Sequence, residues 1–590
     1  MILQDKKFYF LHIASTYWPV ALILLWTVML MLINHDWYFT PVSFVDPAIY
    51  IGWFLHPQLY RELFPLAHTG DLFPLTLPNA VAYYYFGPVV GNIIIKGISF
   101  FVAQLCMFVV VRQLFNVRTA IFCVIAFSCS RYVLMAIGAD YTDGRVIVYL
   151  LLSMASGISA SAPNQRYPRL LYAMAGVWAL FMVSTAMLSA VLLLLLFGMC
   201  MIGRGVVSHK VSPHRTAIIW MTGGFIAAFA ILGLIDATFM GGDGFYLRNV
   251  IERAISYIGQ NRVLVSNWEN AGLWLVPSAT IVPVGISAAF ILIKHHSMFD
   301  LKEWHGRALL CVTLGTILAY GTFIGLQYFK NQETLSNGFY LNFLLPLVYV
   351  LLGAIIYPLT RTSHSALFWF LMAGFALVSV QVVVGLSQYA ITLQSLFPCW
   401  ASSAAFSYEV AVLSLGLLAC IMCIKYPAIR LMGVLIVVLA VNFYSASHIF
   451  PTQFTAHRRE ENFKTILEWD AHVSAQDAQR KGFVWYDVYE PSGAVFMQMS
   501  AASHMWTKWG QVSENFPLVE FQQLVLMKQV VERDGHAVLF LFSTTPQHAD
   551  NALALISASG LHAQLISRKN YWSLGKGFTV YQFNVTDPQS

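Results

Sequence analysis

Charge is what this sequence has least of. Only 11% of its 590 residues are Asp, Glu, Lys or Arg, against about 25% in a soluble domain. Charge cannot cover such a surface, so most of it faces lipid. Cysteine builds no framework: Cys106, Cys123, Cys129, Cys200, Cys311, Cys399, Cys420 and Cys423 lie almost all inside apolar runs, which excludes a disulfide scaffold, and Cys420-x-x-Cys423 reads as helix packing. The formal charge of +6 falls mainly in short loops between apolar runs and implies no nucleic-acid partner. Lys6 and Lys7 precede the first run without a small-residue cleavage site, the pattern of a retained anchor.

Apolar length is what the chain has in abundance. Hydrophobic residues make up 58% of it and aromatics 15%. A membrane-crossing helix takes about 20 mostly apolar residues. Runs of that kind fall near 17–34, 89–112, 118–138, 146–162, 170–185, 187–203, 216–237, 272–294, 307–328, 340–359, 366–388, 406–424 and 431–448, so about 13 spans are expected. The 170–203 pair is interrupted by Val183-Ser184-Thr185-Ala186, which reads either as a tight outer turn or as part of one tilted helix.

Alternate loops are basic: Lys6 and Lys7; Arg112 and Arg118; Arg166 and Arg169; Arg204, Lys210 and Arg215; Lys294, Lys302 and Arg307; Arg361; Lys425 and Arg430. The positive-inside rule makes these cytoplasmic, with the N-terminus inside. An odd span count puts the tail outside.

The fold class expected is therefore an α-helical polytopic membrane protein with a small α/β C-terminal soluble domain. Residues 1–448 form the membrane domain, with outer loops 35–88, 138–145 and 238–271, and 449–590 form the second domain. In that tail, 482–488 and 537–542 read as buried strands, 548–559 as a helix stopped by Gly560, and 569–584 as a last strand pair. The tail has neither a Gly-rich phosphate loop nor metal-ligand spacing. In loop 238–271, Tyr246, Leu247, Val250, Ile251, Ile255 and Ile258 recur at helical spacing beside Arg248, Glu252 and Arg253, the pattern of an interfacial helix over Gly244–Gln260.

The chemistry concentrates in two acidic segments. Phe44-Val45-Asp46-Pro47-Ala48-Ile49-Tyr50 lies beyond the first span, and Gly138-Ala139-Asp140-Tyr141-Thr142-Asp143-Gly144-Arg145 joins the third and fourth. Carboxylates at helix ends in lipid are costly unless hydrated, paired or used. For any single acid the plain alternative is a solvated loop carboxylate or a cap, as Asp143 would be for a helix opening near Arg145. His56 and His68 in the first loop are too few to define a metal site, and His457-Arg458-Arg459-Glu460-Glu461 reads as a solvated linker.

The arrangement resembles the GT-C superfamily of integral-membrane glycosyltransferases that use polyprenyl-phosphate sugar donors, which includes protein mannosyltransferases and lipid A aminoarabinose transferases. Asp46-Pro47-Ala48-Ile49-Tyr50 is similar to their first-loop acidic motif, and Tyr141-Thr142-Asp143-Gly144 to their second. Tyr340-Leu341-Asn342-Phe343-Leu344-Leu345-Pro346 is similar to their late Tyr-Leu-x-x-Leu-Pro pattern. Two departures stand out: Pro47 replaces the usual second acid, and Gly338-Phe339 precedes the late motif where a basic residue is common.

The resemblance implies inverting transfer of a sugar from a polyprenyl phosphate to a periplasmic acceptor (lipid A, polysaccharide or protein) in the bacterial inner membrane. Asp46 would be the general base and Asp143 a second catalytic carboxylate, orienting the acceptor or Asp46, or sharing a divalent metal with it; the sequence itself requires no metal. Arg61, Arg145, Arg248 and Arg253 are the candidates for the donor phosphate, and Tyr50, Asp140 and Tyr340 for substrate contact. The alternatives are a transporter or flippase, or a ligase or polymerase of lipid-linked oligosaccharides. A transporter would favour internal repeats and mid-membrane ionisable groups, of which Glu409 is the nearest example.

Overall fold

The computed structural model describes residues 2–33, 45–55, 71–138, 142–162, 165–202, 212–239, 242–259, 304–330, 342–362, 368–377, 482–486, 510–513, 517–543, 546–573 and 576–588, with short pieces at 284–285, 366, 426, 429–430, 432–434, 464 and 467–468. The chain divides into two compact units. One comprises Met1–Tyr38, Asp71–Leu75 and Ile94–Thr452; the other comprises Phe39–Gly70, Thr76–Ile93 and Gln453–Ser590.

The first unit is helical. Among the described residues five helices are long and apolar enough to cross a membrane: Pro88–Leu114, Thr142–Ser161, Pro168–Thr185, Arg215–Phe239 and Gly306–Leu326. Val117–Ser128 and Tyr132–Gly138, bent by 67°, make a sixth if the pair is one span. The expected run 118–138 is thus a broken helix. Asn116 Oδ1 caps its first half by accepting from Thr119 N at 2.8 Å. The 170–203 ambiguity resolves as a break: Pro168–Thr185 stops at Ala186 in extended conformation (φ −149°, ψ 109°), and a 3-10 turn, Met187–Leu192, leads into Leu193–Ile202. Shorter apolar helices cover Trp18–Ile33, Asn342–Pro358 and Phe368–Leu377. The runs expected at 272–294, 406–424 and 431–448 lie almost wholly outside the described residues.

Lipid offers helices no hydrophobic reason to associate, so small residues and buried hydrogen bonds hold them together. A Cβ on Gly176 would strike the Met221 carbonyl, and one on Gly224 the Ala173 carbonyl, so Pro168–Thr185 and Ser212–Phe239 touch backbone to backbone. Ser153 Oγ donates to Ala175 O at 2.8 Å, and Trp26 Nε1 to Ser128 Oγ at 2.7 Å. Thr142–Ser161 is the inner helix, 78% buried over its apolar window, whereas Arg215–Phe239 is 28% buried and turns Ile219, Ile226, Ile231 and Leu234 outward.

In the second unit a five-stranded sheet has the order β2-β1-β3-β5-β4. Strand β1 (Gly482–Tyr486) lies parallel to both β2 (Gly510–Ser513) and β3 (His536–Ser543). The helix Pro517–Asp534 connects β2 to β3, and the antiparallel pair β4 (His562–Ser573) and β5 (Lys576–Thr586) extends the sheet from β3. Met527, Val530, Leu539, Leu541, Ala552, Ile556 and Phe583 form its core. The helix expected at 548–559 runs Pro546–Ala558, with Gly560 at φ +82° beyond it.

The expected outer loop 35–88 contains two helices, Val45–Leu55 and Phe73–Phe86. Their apolar sides pack: Phe54 meets Tyr83 edge-on at 5.5 Å, and Asn92 Nδ2 donates to Tyr83 OH at 2.8 Å.

Candidate functional site

A charge buried inside an apolar bundle is the most expensive thing the sequence can place there, so each one needs an account. Among the described residues the first unit buries Asp71, Lys96, Asp143, Asp236 and Arg307.

Asp143 opens the central helix Thr142–Ser161 and is 2% exposed. The helix begins at Thr142 rather than near Arg145, and the Asp143 carboxylate lies by the first-turn N–H groups of Asp143 and Gly144. Its Oδ2 accepts from Asn342 Nδ2 at 2.8 Å. Asn342 is 0% exposed and starts the 3-10 turn Asn342–Leu344, which leads into helix Leu345–Thr362. That turn is clamped by Phe343 against Phe323, edge-on at 5.5 Å. The pair leaves Asp143 Oδ1 and Asn342 Oδ1 buried with no hydrogen-bond partner among the described residues. Two adjacent acceptors without donors suit a ligand that brings hydroxyls or a cation.

Gly144 makes the position of Asp143 possible. A Cβ there would strike the Ala136 carbonyl, so any side chain would push the first turn of Thr142–Ser161 away from Arg131–Gly138. Two residues on, Arg145 is half-buried, and its guanidinium donates to Ser99 Oγ. Lys96, 1% exposed, lies one turn before Ser99 on helix Pro88–Leu114. One turn below Arg145, Tyr149 OH donates to Pro74 O at 2.5 Å and secures residues 71–75 against the central helix.

Beside this lies Tyr246, 1% exposed, stacked on Phe73 at 5.5 Å and sharing a hydrogen bond with Ser184 Oγ at 3.0 Å. Burial pushes its phenol above the usual range, and the negative charge of Asp71 pushes in the same direction while the Ser184 bond opposes it. Asp71, itself 0% exposed, thus sits within electrostatic reach of Tyr246. Asp236, also 0% exposed, closes the end of Ser212–Phe239, with its Oδ2 accepting from Gly244 N at 3.2 Å. Tyr246 and this turn anchor the helix Arg248–Gly259, which lies within the interfacial stretch expected at 244–260.

The remaining expected site residues divide clearly. Asp46 and Tyr50 fall on one helix, Val45–Leu55, rather than in a loop, with Asp46 in its first turn and Tyr50 buried at 6% exposure. They belong to the second unit. Arg248 is exposed and ion-paired with Asp243 at 2.6 Å. Arg253 lies on the Arg248–Gly259 helix, with Glu252 and Ile255 beside it exposed. Arg61, Asp140 and Tyr340 lie outside the described residues, as does the start of the late motif before Asn342.

The sequence reading passed over Asp71, Lys96 and Asn342 as site residues. Lys96 carried a usable signal, being the only charge in the run 89–111. Asn342 carried none beyond its place in the late motif, since its partner is 199 residues away.

No metal-binding group of three or more His, Cys, Asp or Glu residues exists among the described residues. The oxygens of Asp143 and Asn342 are hard donors suited to Mg²⁺ or Mn²⁺, but two of them do not make a complete site.

No family model matches the sequence, and no curated protein matches it. Solved structures do share its architecture. The mycobacterial arabinofuranosyltransferase AftD superposes on 97% of this chain with a TM-score of 0.51 at 12% identity; the match takes in 40% of AftD's length. ArnT from Cupriavidus metallidurans, solved bound to undecaprenyl phosphate, covers 96% of this chain and 98% of its own with a TM-score of 0.48 at 13% identity. The chain thus shares its fold with the arabinofuranosyltransferase AftD.

Proposed function

We propose that this protein is an inverting membrane glycosyltransferase that moves one sugar from a polyprenyl phosphate to an acceptor on the periplasmic face of the bacterial inner membrane. The observation that carries the reading is the Asp143–Asn342 pair, which joins two of the three segments the family resemblance picked out and leaves two buried acceptor oxygens without a hydrogen-bond partner among the described residues. A fold shared with an arabinofuranosyltransferase supports the same class.

In this reading the Asp46 carboxylate takes the proton of an acceptor hydroxyl. The hydroxyl oxygen then bonds to the anomeric carbon as the carbon–oxygen bond to phosphate breaks. The electron pair leaves on the polyprenyl phosphate, and the anomeric centre inverts. A positioned base of this kind contributes about 10²–10⁴-fold. Asp143 and Asn342 hold sugar or acceptor hydroxyls through their vacant oxygens, so they position the reacting groups. The departing phosphate needs cations, a role for Arg145 and Lys96 with Arg61, Arg248 and Arg253. The N-terminus is cytoplasmic and the C-terminal sheet periplasmic, where it helps choose among lipid, glycan and protein acceptors.

The test is turnover by the purified protein of a panel of radiolabelled polyprenyl-phosphate sugars, with Asp46→Asn and Asp143→Asn alongside. Transfer or hydrolysis by wild type, lost in Asp46→Asn at unchanged thermal stability, is the expected result. No turnover with any donor, together with full cellular activity of Asp46→Asn, would overturn it.

A further inference from the structure

Arg307 is the buried charge that the outer site does not use. It lies in the first turn of helix Trp304–Lys330 and is 8% exposed. Its Nε and both Nη atoms are buried with no hydrogen-bond partner among the described residues. An unpaired guanidinium held away from water is strongly unfavourable, so the position calls for an anion.

Among the described residues, its packing neighbours supply none. The elements packed most closely on this helix are Met187–Leu192, Leu193–Ile202, Asn342–Leu344 and Leu345–Thr362. None contains Asp or Glu, and neither does Trp304–Lys330 itself. Helix Leu193–Ile202 packs against it and turns its C-terminal carbonyls toward this end. A Cβ on Gly198 would lie 3.5 Å from Cys311 Sγ, and one on Gly315 would meet Leu195 at 2.6 Å, an antiparallel register that brings Ile202 opposite Arg307. The guanidinium nevertheless donates to none of these carbonyls.

The position is at the far boundary from Asp143. Phe323, which packs on the turn holding Asn342, is 16 residues further along the same helix, about 24 Å at 1.5 Å per residue. Helical side chains lean toward the N-terminus, so Arg307 reaches back to the first turn, where the backbone N–H groups lack intrahelical partners. A guanidinium beside such N–H groups is a phosphate-binding arrangement.

We propose that Arg307 and the N-terminal turn of its helix bind a phosphate group at the membrane boundary opposite the Asp143–Asn342 site, with an acidic phospholipid headgroup or a soluble phosphate as its source. Basic groups at the cytoplasmic leaflet meet such headgroups, and Arg307 belongs to a loop the sequence assigns to that side. The inference stands independently of the proposed sugar transfer.

The test is thermal unfolding of the full chain in nanodiscs of phosphatidylcholine alone, in discs doped with phosphatidylglycerol, and in detergent with or without inorganic phosphate. Wild type is expected to melt a few degrees higher with the anion, because a ligand that binds the folded state stabilises it. Arg307→Met should lose that increment and Arg307→Lys keep part of it. A response to phosphatidylglycerol alone assigns the lipid source, and a response to inorganic phosphate assigns the soluble one. Equal increments in wild type and Arg307→Met, or no increment in wild type with either anion, would overturn the proposal. If Arg307→Met does not fold, the comparison of wild type with Arg307→Lys decides, with equal increments counting against.

Discussion

A carboxylate and an amide 199 residues apart in sequence, buried and held 2.8 Å apart, must answer to each other. Removing Asn342 strips Asp143 of its donor, and hydrogen bonds to charged groups contribute about 1.5–3 kcal/mol. Asn342→Ala is therefore expected to lower the melting temperature and to reduce donor turnover by about 10-fold or more. Combining it with Asp143→Asn should be non-additive by about 0.5–3 kcal/mol in a double-mutant cycle, because the two share one bond. Additive effects would separate the residues functionally. Tyr246 makes a smaller case. Its hydroxyl meets Ser184, whose own Oγ already donates to Leu180 O at 2.7 Å, so Tyr246→Phe should cost only about 0.5–1.5 kcal/mol in thermal unfolding. These contacts were illegible in the sequence. Asp143 stood out as an acid at a helix end, but nothing in a linear string tells which of several polar residues will lie beside it.

At the scale of elements, the bundle depends on backbones that touch. Gly176 and Gly224 each face a carbonyl across the Pro168–Thr185 and Ser212–Phe239 contact, with no room for a side chain. Gly176→Leu is expected to separate the two helices and lower the yield of folded protein in detergent, whereas Gly223→Ala, which faces open space on the same helix as Gly224, should be tolerated. Overpacking of this sort costs about 1–3 kcal/mol or more. In the second unit, Leu539 lies at the centre of β3, which pairs with β1 on one side and β5 on the other, and is 0% exposed. Leu539→Ala should destabilise that unit by about 2–5 kcal/mol, read as early loss of the sheet in thermal unfolding. Both strand runs and helix runs were legible, because apolar length and turn residues report directly on burial. The break at Ala186 was legible only as an interruption open to two readings, and the bend between Ser128 and Tyr132 passed unread although Ser128-Cys129-Ser130-Arg131 is a polar stretch.

For the whole molecule, the basic loops predict which ends face the cytoplasm. Ile255 is 65% exposed on the interfacial helix and Arg166 is exposed in a basic loop. Under the proposed orientation, Ile255→Cys should react with a membrane-impermeant maleimide in intact spheroplasts and Arg166→Cys only after permeabilisation. The native thiols described are Cys106, Cys123 and Cys129, all buried, and Cys311, half-buried, so background labelling from them stays low. The reverse pattern would invert the topology and the proposed periplasmic site with it.

The amino-acid sequence alone determined that this chain lives in lipid, how its helices are spaced and that a mixed α/β tail follows them. Those properties depend on local composition, and each stretch carries its own solvent preference. Asp143, as an acid at a helix end, and the amphipathic helix Arg248–Gly259 were visible in the same way. Only the tertiary structure decided that Asn342 partners Asp143, that Lys96 and Asp71 are buried, and that the Arg307 guanidinium is buried without a hydrogen-bond partner among the described residues. Those are properties of pairs of residues distant in sequence, set by which helices pack together, and helix packing in lipid depends on small-residue contacts and shape that hydropathy does not encode.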